Sequence, residues 1–181
     1  MPSRKDGLAF AALAAASLLL ACSDNIASPE AGGSPPIQTD RASYTLYETS
    51  GGRMLRVEIP YTYHNTTEKT VYLVNCRQAV EASLEKRVDG RWVLAWGGVY
   101  AACLSPAIEI AAGTVYADTM IVVDYQGGAP RFTVDPIDGT YRIVLSSTST
   151  VHNYDDSYRG GAWGDPLPVA NRISNEFALS K

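Results

Sequence analysis

The chain has 181 residues, with 15 basic and 19 acidic side chains and a formal net charge of −4 at pH 7. Because the two signs are mixed along the chain, no basic patch of the kind that nucleic acid or anionic lipid requires is present in the sequence. Behind the N-terminal segments described next lie about 140 residues, the size of one domain with its own core.

The chain begins with a basic start and an apolar run that is too short for a lasting membrane span. Arg4 and Lys5 precede the apolar residues 8–20, which is the pattern of an export signal. Residues 19–22 read Leu-Leu-Ala-Cys, and this sequence resembles the bacterial lipoprotein box. The resemblance implies cleavage after residue 21 and attachment of lipid to Cys22. Plain secretion and an uncleaved anchor are the alternatives.

The predicted lipid indicates where the protein is located and how it is anchored to the membrane. Residues 1–21 are the expected signal peptide, and two or more acyl chains on Cys22 would make membrane anchoring stable. Ser23 rather than Asp follows the cysteine, which by the same resemblance favours the outer membrane of a bacterial cell envelope over the outer leaflet of a single-membrane cell. Residues 22–41 are rich in Ser, Pro, Gly and Ala, so we expect a flexible linker there and a folded domain over residues 42–181.

The number of cysteines is consistent with export of the protein. If Cys22 carries lipid, Cys76 and Cys103 remain as a pair in an oxidising compartment, which predicts a disulfide between them. A metal site is the rival interpretation, but two cysteines without a nearby histidine do not supply the ligands that zinc needs. We therefore predict a Cys76–Cys103 disulfide, no metal site and no cofactor.

The sequence of the domain predicts an all-β fold. Short runs rich in Val, Ile, Tyr and Thr recur between turn residues, without sustained helical periodicity. Pro60 lies inside one run and cannot donate to a ladder, which indicates a bulge or an edge. About seven to nine strands predict an immunoglobulin-like antiparallel two-sheet sandwich, with a small barrel as the alternative. The predicted strands are residues 44–47, 54–64, 70–75, 82–88, 91–96, 108–110, 115–124, 141–145 and 173–179, with 131–134 as an optional short piece.

One hairpin is predicted most clearly. Asp89-Gly90 lies between two predicted strands, and both residues accept the positive φ angles of a tight primed turn. Trp92 and Trp96 are four residues apart on the second strand, so we expect them on the same face, with at least one as a core anchor.

Four sequence pieces carry a resemblance to bacterial immunoglobulin-like domains, including the BsuPI-type proteinase-inhibitor domain. It covers roughly residues 44–145 and implies a sandwich fold. The lipid signal and the predicted disulfide depart from the inhibitor pattern, so inhibition of an intracellular proteinase is not carried over. The pieces are Tyr63-His64-Asn65-Thr66-Thr67, Gly90-Arg91-Trp92-Val93 with Trp96, Ala112-Gly113-Thr114-Val115-Tyr116 and Gly139-Thr140-Tyr141.

Residues for catalysis are not apparent. His64 and His152 are the two histidines, and no Gly-x-Ser-x-Gly motif accompanies either, so we interpret both as solvent-facing turn residues. Residues 65–67, Asn-Thr-Thr, form a glycosylation acceptor only formally and are interpreted as an ordinary turn. The sequence predicts no enzyme and no catalytic residue.

The segment 152–168 is the most unusual part of the domain, because it combines aromatic rings and carboxylates on a glycine-rich backbone. Loops of this length are usually functional or disordered. Aromatic side chains suit stacking on sugars or peptides, and carboxylates suit Ca²⁺, although the spacing does not fit an EF-hand. A binding loop, a calcium site and a solvated connection packed by Tyr and Trp all remain open. The candidate binding residues are Tyr154, Asp155, Asp156, Tyr158, Trp163 and Asp165.

Together these features predict a non-enzymatic, membrane-anchored lipoprotein whose sandwich is an interaction or structural module in the cell envelope. Its expected partners are the membrane, through the lipid, and a protein or a glycan, but not nucleic acid. The alternatives are a proteinase-inhibitor-like domain outside the cytoplasm and a glycan-binding or carbohydrate-active domain that uses residues 152–168.

Overall fold

The computed structural model describes residues 33–76, 79–99, 105–150 and 164–181. These residues contain no α-helix, so the all-β prediction is confirmed. Fourteen strand segments replace the predicted seven to nine, because several are only two or three residues long. A 3₁₀ turn lies at Val169–Asn171, and the strands are β1 Ile37–Thr39, β2 Ser43–Thr45, β3 Tyr47–Thr49, β4 Met54–His64, β5 Val71–Leu73, β6 Asn75–Cys76, β7 Ala79–Val80, β8 Ala82–Val88, β9 Arg91–Gly97, β10 Ile108–Ile110, β11 Val115–Tyr125, β12 Gly139–Leu145, β13 Ser147–Thr148 and β14 Phe177–Ser180.

The first sheet is built around β4. β11 pairs antiparallel with β4 along its whole length. On the other side of β4, β1 pairs with the C-terminal end and β3 with the N-terminal end. The alternation predicted for β4 is confirmed, because the side chains on its inner face are all buried: Leu55, Val57, Ile59, Tyr61 and Tyr63.

The second sheet has the strand order β2-β14-β12-β8-β9. Its pairs are antiparallel except β14–β2, which is parallel, so the fully antiparallel prediction needs this correction. Two smaller sheets, β10-β5-β13 and β6-β7, complete the described part. One hydrophobic cluster contains inner side chains of both large sheets, including Val57, Ile59, Val122, Leu84, Ile143 and Leu179.

The edges of the large sheets distinguish a sandwich from a barrel. Among the described strands, β9 and β11 are edge strands that do not pair with each other. The hydroxyl of buried Tyr141 donates to the backbone carbonyl of Ile137, four residues upstream. Such a tyrosine corner at the start of a strand is a feature of immunoglobulin-like sandwiches. The predicted immunoglobulin-like two-sheet sandwich is therefore confirmed, and the barrel alternative is not.

The hairpin prediction is also confirmed. β8 and β9 pair antiparallel, and the φ angles of Asp89 and Gly90 are 50° and 78°. Both angles are positive, as a type I′ turn requires.

Pro60 occupies neither a bulge nor an outer strand. It lies inside the continuous β4–β11 register, opposite Thr119. Its carbonyl accepts a hydrogen bond from Asp40 N on the β1 side, so its ring nitrogen faces the same side. There β1 covers only residues 61–63 of β4 and β3 only residues 54–56. Pro60 therefore sits at a gap where no strand needs its missing donor.

The folded body begins earlier than the predicted boundary at residue 42. β1 lies inside the segment predicted as flexible linker, and Ile37 is completely buried. Asn175 holds this strand in place, since its side-chain oxygen accepts from Thr39 N and its backbone N donates to Ile37 O. The burial of Ile37, the pairing with β4 and these hydrogen bonds together attach the segment to the sandwich.

Two other predicted strands differ from the structure. Residues 131–134 form no strand, because Thr133 N donates to Ala95 O and Phe132 packs edge-on against Tyr141 instead. The closing strand, predicted over residues 173–179, is β14, which begins only at Phe177. Ile173 contributes an isolated bridge to Val144.

Candidate functional site

The structure places only the end of the predicted binding loop. Asp165 is exposed, and its backbone carbonyl accepts a hydrogen bond from Ser149 N. Leu167 is buried, and its N donates to Ser147 O. Residues 164–168, the end of the predicted loop, thus pack beside β13 and form one isolated bridge to it at Pro166. The other candidates lie outside the described residues, as does His152: Tyr154, Asp155, Asp156, Tyr158 and Trp163.

Some of the other residues singled out in the sequence lie within the described part of the chain, and others lie outside it. Cys76 is nearly buried in β6, whereas Cys22 and Cys103 lie outside the described residues, so lipidation and the pairing of Cys76 stay predictions. His64 is exposed at the end of β4. In the described ranges no group of three or more His, Cys, Asp or Glu side chains could hold a metal ion.

Asn65 has a structural role. It is fully buried, and its amide nitrogen donates to Lys69 O and Ile110 O at 2.8 Å each. Its side-chain oxygen accepts from Thr67 N and Thr67 Oγ1. A buried, fully bonded amide of this kind fixes a turn between strands and is inaccessible to modification.

The two tryptophans of β9 lie on opposite faces, so the same-face prediction is wrong. The β8–β9 register shifts between Leu84, which pairs with Trp96, and Glu85, which pairs with Leu94. Ala95 is therefore the extra residue of a β-bulge, and one extra residue reverses the direction of every side chain beyond it. Trp96 is buried at 3% exposure, which confirms the prediction of a core anchor.

Trp92 forms part of a surface on the outer face of the second sheet, which we call the Trp92 surface. It comprises Trp92 and Leu94 from β9, Glu85 and Arg87 from β8, and Arg142 from β12. Each of them alternates with side chains that point inward, such as Leu84 and Ile143. The pairing places Glu85 between Leu94 and Arg142.

Electrostatic contacts hold this surface in one arrangement. The guanidinium carbon of Arg142 lies 4.4 Å from the centroid of the Trp92 ring. Nε and Nη2 of Arg142 both donate to Oε2 of Glu85, at 2.8 and 2.7 Å. Only 13% of the Arg142 side chain is exposed, whereas Leu94 next to it is 61% exposed. The result is a pre-ordered aromatic and charged platform beside an exposed apolar side chain.

A second feature lies where three chain segments change strand partners. The single-residue breaks between β5 and β6, β7 and β8, and β12 and β13 fall at Val74, Glu81 and Ser146. Val74 N donates to Ser146 O, Ser146 N to Glu81 O, and Glu81 N to Val74 O, at 2.9, 2.9 and 2.8 Å. This closed ring of backbone hydrogen bonds ties the three segments together.

A pocket of about 300 Å³ opens beside this ring, and we call it the crossing pocket. Two of its lining residues carry buried polar atoms without a hydrogen-bond partner: Ser147 Oγ and Arg172 Nε. Buried polar groups are nearly always satisfied in folded proteins, so two such atoms in one pocket call for an explanation. The lining residues are Val74, Glu81, Ser146, Ser147, Thr148, Gly164, Pro166 and Arg172.

Sequence reasoning missed both features for different reasons. The Trp92 surface depends on a bulge that the pattern of residues 91–97 does not reveal, although Trp92 itself was singled out. The crossing pocket joins Val74 and Glu81 with residues 146–148 and with Gly164, Pro166 and Arg172, which no local signal connects.

No protein-family model matches the chain, and no curated protein matches its sequence. The described residues contain no helix long and apolar enough to cross a membrane. The resemblance to lipoproteins and to BsuPI-type domains therefore stays a prediction from the sequence.

Proposed function

We propose that this protein is a non-enzymatic, lipid-anchored interaction module of the bacterial cell envelope, and that the Trp92 surface is where it contacts a protein partner. The predicted signal peptide and the resemblance of residues 19–22 to a lipoprotein box support the location in the cell envelope. The observation that carries the binding role is the arrangement in which Arg142 lies over the Trp92 ring and is ion-paired with Glu85.

The composition of this surface favours a protein over a small molecule. Tryptophan and arginine dominate the binding energy of protein interfaces, usually near the centre of the contact. Leu94 provides an exposed apolar contact, and the ion pair of Arg87 with Glu176 at 3.5 Å adds charges of both signs at the margin. Because Arg142 is already held by Glu85, little side-chain entropy is lost when a partner binds.

The binding role is tested with a matched pair of variants. In cells producing the full chain, in-situ cross-linking should give a defined adduct with one partner. Leu94→Asp should abolish that adduct. Ile121→Asp, which changes an exposed apolar residue of similar accessibility on β11 of the other sheet, should leave it intact. An adduct that survives Leu94→Asp, or no adduct at all, would contradict the assignment.

The anchor is tested separately. Cys22→Ala should move the protein from the membrane fraction to the soluble fraction, because the thiol that receives the lipid is gone. Ser23→Ala is the control and should leave the protein with the membranes. A Cys22→Ala protein that still sediments with membranes after a high-salt wash would refute the lipid anchor.

We also propose that Cys76 pairs with Cys103. Two observations support this: Cys76 is nearly buried, and it is a bonded rather than a free cysteine. Removal of the bridge should lower the free energy of unfolding by about 2–4 kcal/mol, since the unfolded chain regains the freedom of the closed loop. Two reactive thiols in the processed protein without reductant would disprove the pairing.

A further inference from the structure

We infer that the crossing pocket binds a small zwitterion, a molecule that carries one carboxylate and one ammonium group, such as a free amino acid. This site is separate from the Trp92 surface and does not depend on the function proposed for it. The inference rests on two opposite charges and one buried hydroxyl that line the same pocket without satisfying one another.

Arg172 supplies the positive charge. It is half-buried, and its Nε–H is buried without a hydrogen-bond partner. Among the described residues it forms no ion pair, although each of the four pairs found there contains an arginine. A guanidinium presents its donors in a planar fork that matches a carboxylate, so a carboxylate is the natural ligand for this free group.

Ser147 adds a second contact for the same ligand group. It is 1% exposed, and its Oγ is buried without a partner. A hydroxyl can donate to the second oxygen of a carboxylate whose first oxygen accepts from Arg172. An occupied pocket would remove the desolvation penalty that each unsatisfied buried group otherwise carries.

Glu81 supplies the negative charge. Its backbone is fixed by the ring with Val74 and Ser146, so the start of its side chain is held at the pocket wall. Glu81 is a half-buried residue, and its carboxylate forms no ion pair within the described residues, in particular none with Arg172. A cation and an anion that share a pocket without pairing complement a ligand that carries both signs.

The size of the pocket restricts the ligand. A volume of about 300 Å³ is at the lower end of the range for small-molecule sites. The small volume favours a ligand with a short side chain.

The test is calorimetric titration of the full-length, signal-processed protein in detergent with three probes of similar size. L-alanine carries both charges, propionate only the carboxylate, and ethylamine only the ammonium. We expect saturable binding of alanine, binding of propionate about tenfold weaker, and the weakest binding for ethylamine.

Variants separate the two ends of the ligand. Arg172→Gln should weaken both alanine and propionate at least about tenfold, whereas Glu81→Gln should weaken alanine and leave propionate unchanged. Arg56→Gln and Glu58→Gln, which break an exposed pair on β4, are the controls and should change neither. Thermal unfolding of each variant checks that it is folded, and Ser147→Ala provides a second, milder change in the carboxylate contact.

Three outcomes would overturn the inference. Absence of saturable alanine binding would mean that water alone satisfies the two buried atoms. Equal affinity for alanine and propionate would exclude a role for Glu81. Binding that survives both Arg172→Gln and Ser147→Ala in folded protein would place the ligand elsewhere.

Discussion

Trp96 connects the two sheets at the side of the sandwich where their edge strands do not pair. Its ring is buried, and its Nε1 donates to the backbone carbonyl of Val123 in β11 at 2.6 Å. Trp92, four residues earlier, makes a cation–π contact with Arg142 on the outer face. Because of the bulge at Ala95, Trp96 packs in the core whereas Trp92, on the same strand, lies on the surface.

Because the two tryptophans lie on opposite faces, we expect a Trp→Phe substitution to lower the free energy of unfolding by different amounts at the two positions. Trp96→Phe removes the bond to Val123 O and leaves a cavity, so we expect the free energy of unfolding to fall by about 2–3 kcal/mol. Trp92→Phe keeps an aromatic ring under Arg142 and should cost less than about 1 kcal/mol. Urea unfolding followed by circular dichroism measures both, and equal losses would contradict the assignment of the two faces.

At the scale of elements, β11 is an edge strand whose first half is open. The carbonyl of Val123 and the N–H of Tyr125 point away from β4, toward Trp96 and Pro130. Because the β4–β11 register has no shift, the backbone groups of other odd-numbered residues point the same way. Four of them face outward without a strand partner in the described structure: Val115, Ala117, Thr119 and Ile121.

Asp118 opposes the pairing of another strand with this open edge. Its inward-facing carboxylate reaches round to accept the outward N–H of Thr119 at 2.7 Å. The hydroxyls of Tyr116 and Tyr61 donate to its other oxygen at 3.2 and 3.4 Å. A charged residue that points inward on an edge strand opposes pairing with another chain, since the partner strand would bury the charge.

We therefore expect Asp118→Val to promote self-association through β11. The substitution frees the N–H of Thr119 and removes the charge, while Val115 and Ile121 remain exposed at 60% and 48%. Sedimentation velocity should show a concentration-dependent dimer for the variant and a monomer for the parent chain. Glu58→Val makes the same change of charge on the central strand β4 and should stay monomeric. A monomeric Asp118→Val would contradict this role.

At the scale of the whole molecule, the sequence predicted what local patterns encode. The Asp89-Gly90 turn and the alternation of β4 were predicted correctly because turn chemistry and side-chain period act within a few residues. The bulge at Ala95 and the recruitment of Ile37 were not, because packing against distant segments decides them. The crossing pocket could not be predicted either, since Arg172 and Ser147 meet only through the tertiary fold.

The tyrosine-rich core gives the molecule a predictable alkaline limit. Burial raises the pKa of Tyr63 to about 12, and burial together with Asp118 raises the pKa of Tyr116 to about 12. Burial and the hydrogen bond to Asp40 do the same for Tyr44. Since the ordinary pKa is 10.0, the unfolded chain releases these protons first. The stabilisation is therefore complete below pH 10 and is lost as the pH rises towards 12.

We predict that the free energy of unfolding is level from pH 8 to about pH 9.5 and then falls steadily up to pH 12. Tyr63→Phe removes one group that resists ionisation, so its curve should fall less steeply over the same interval, apart from a constant offset for the lost bond to Asn171 O. Urea titrations at a series of pH values measure both curves. A Tyr63→Phe curve parallel to that of the parent chain would show that Tyr63 does not take part in the alkaline transition.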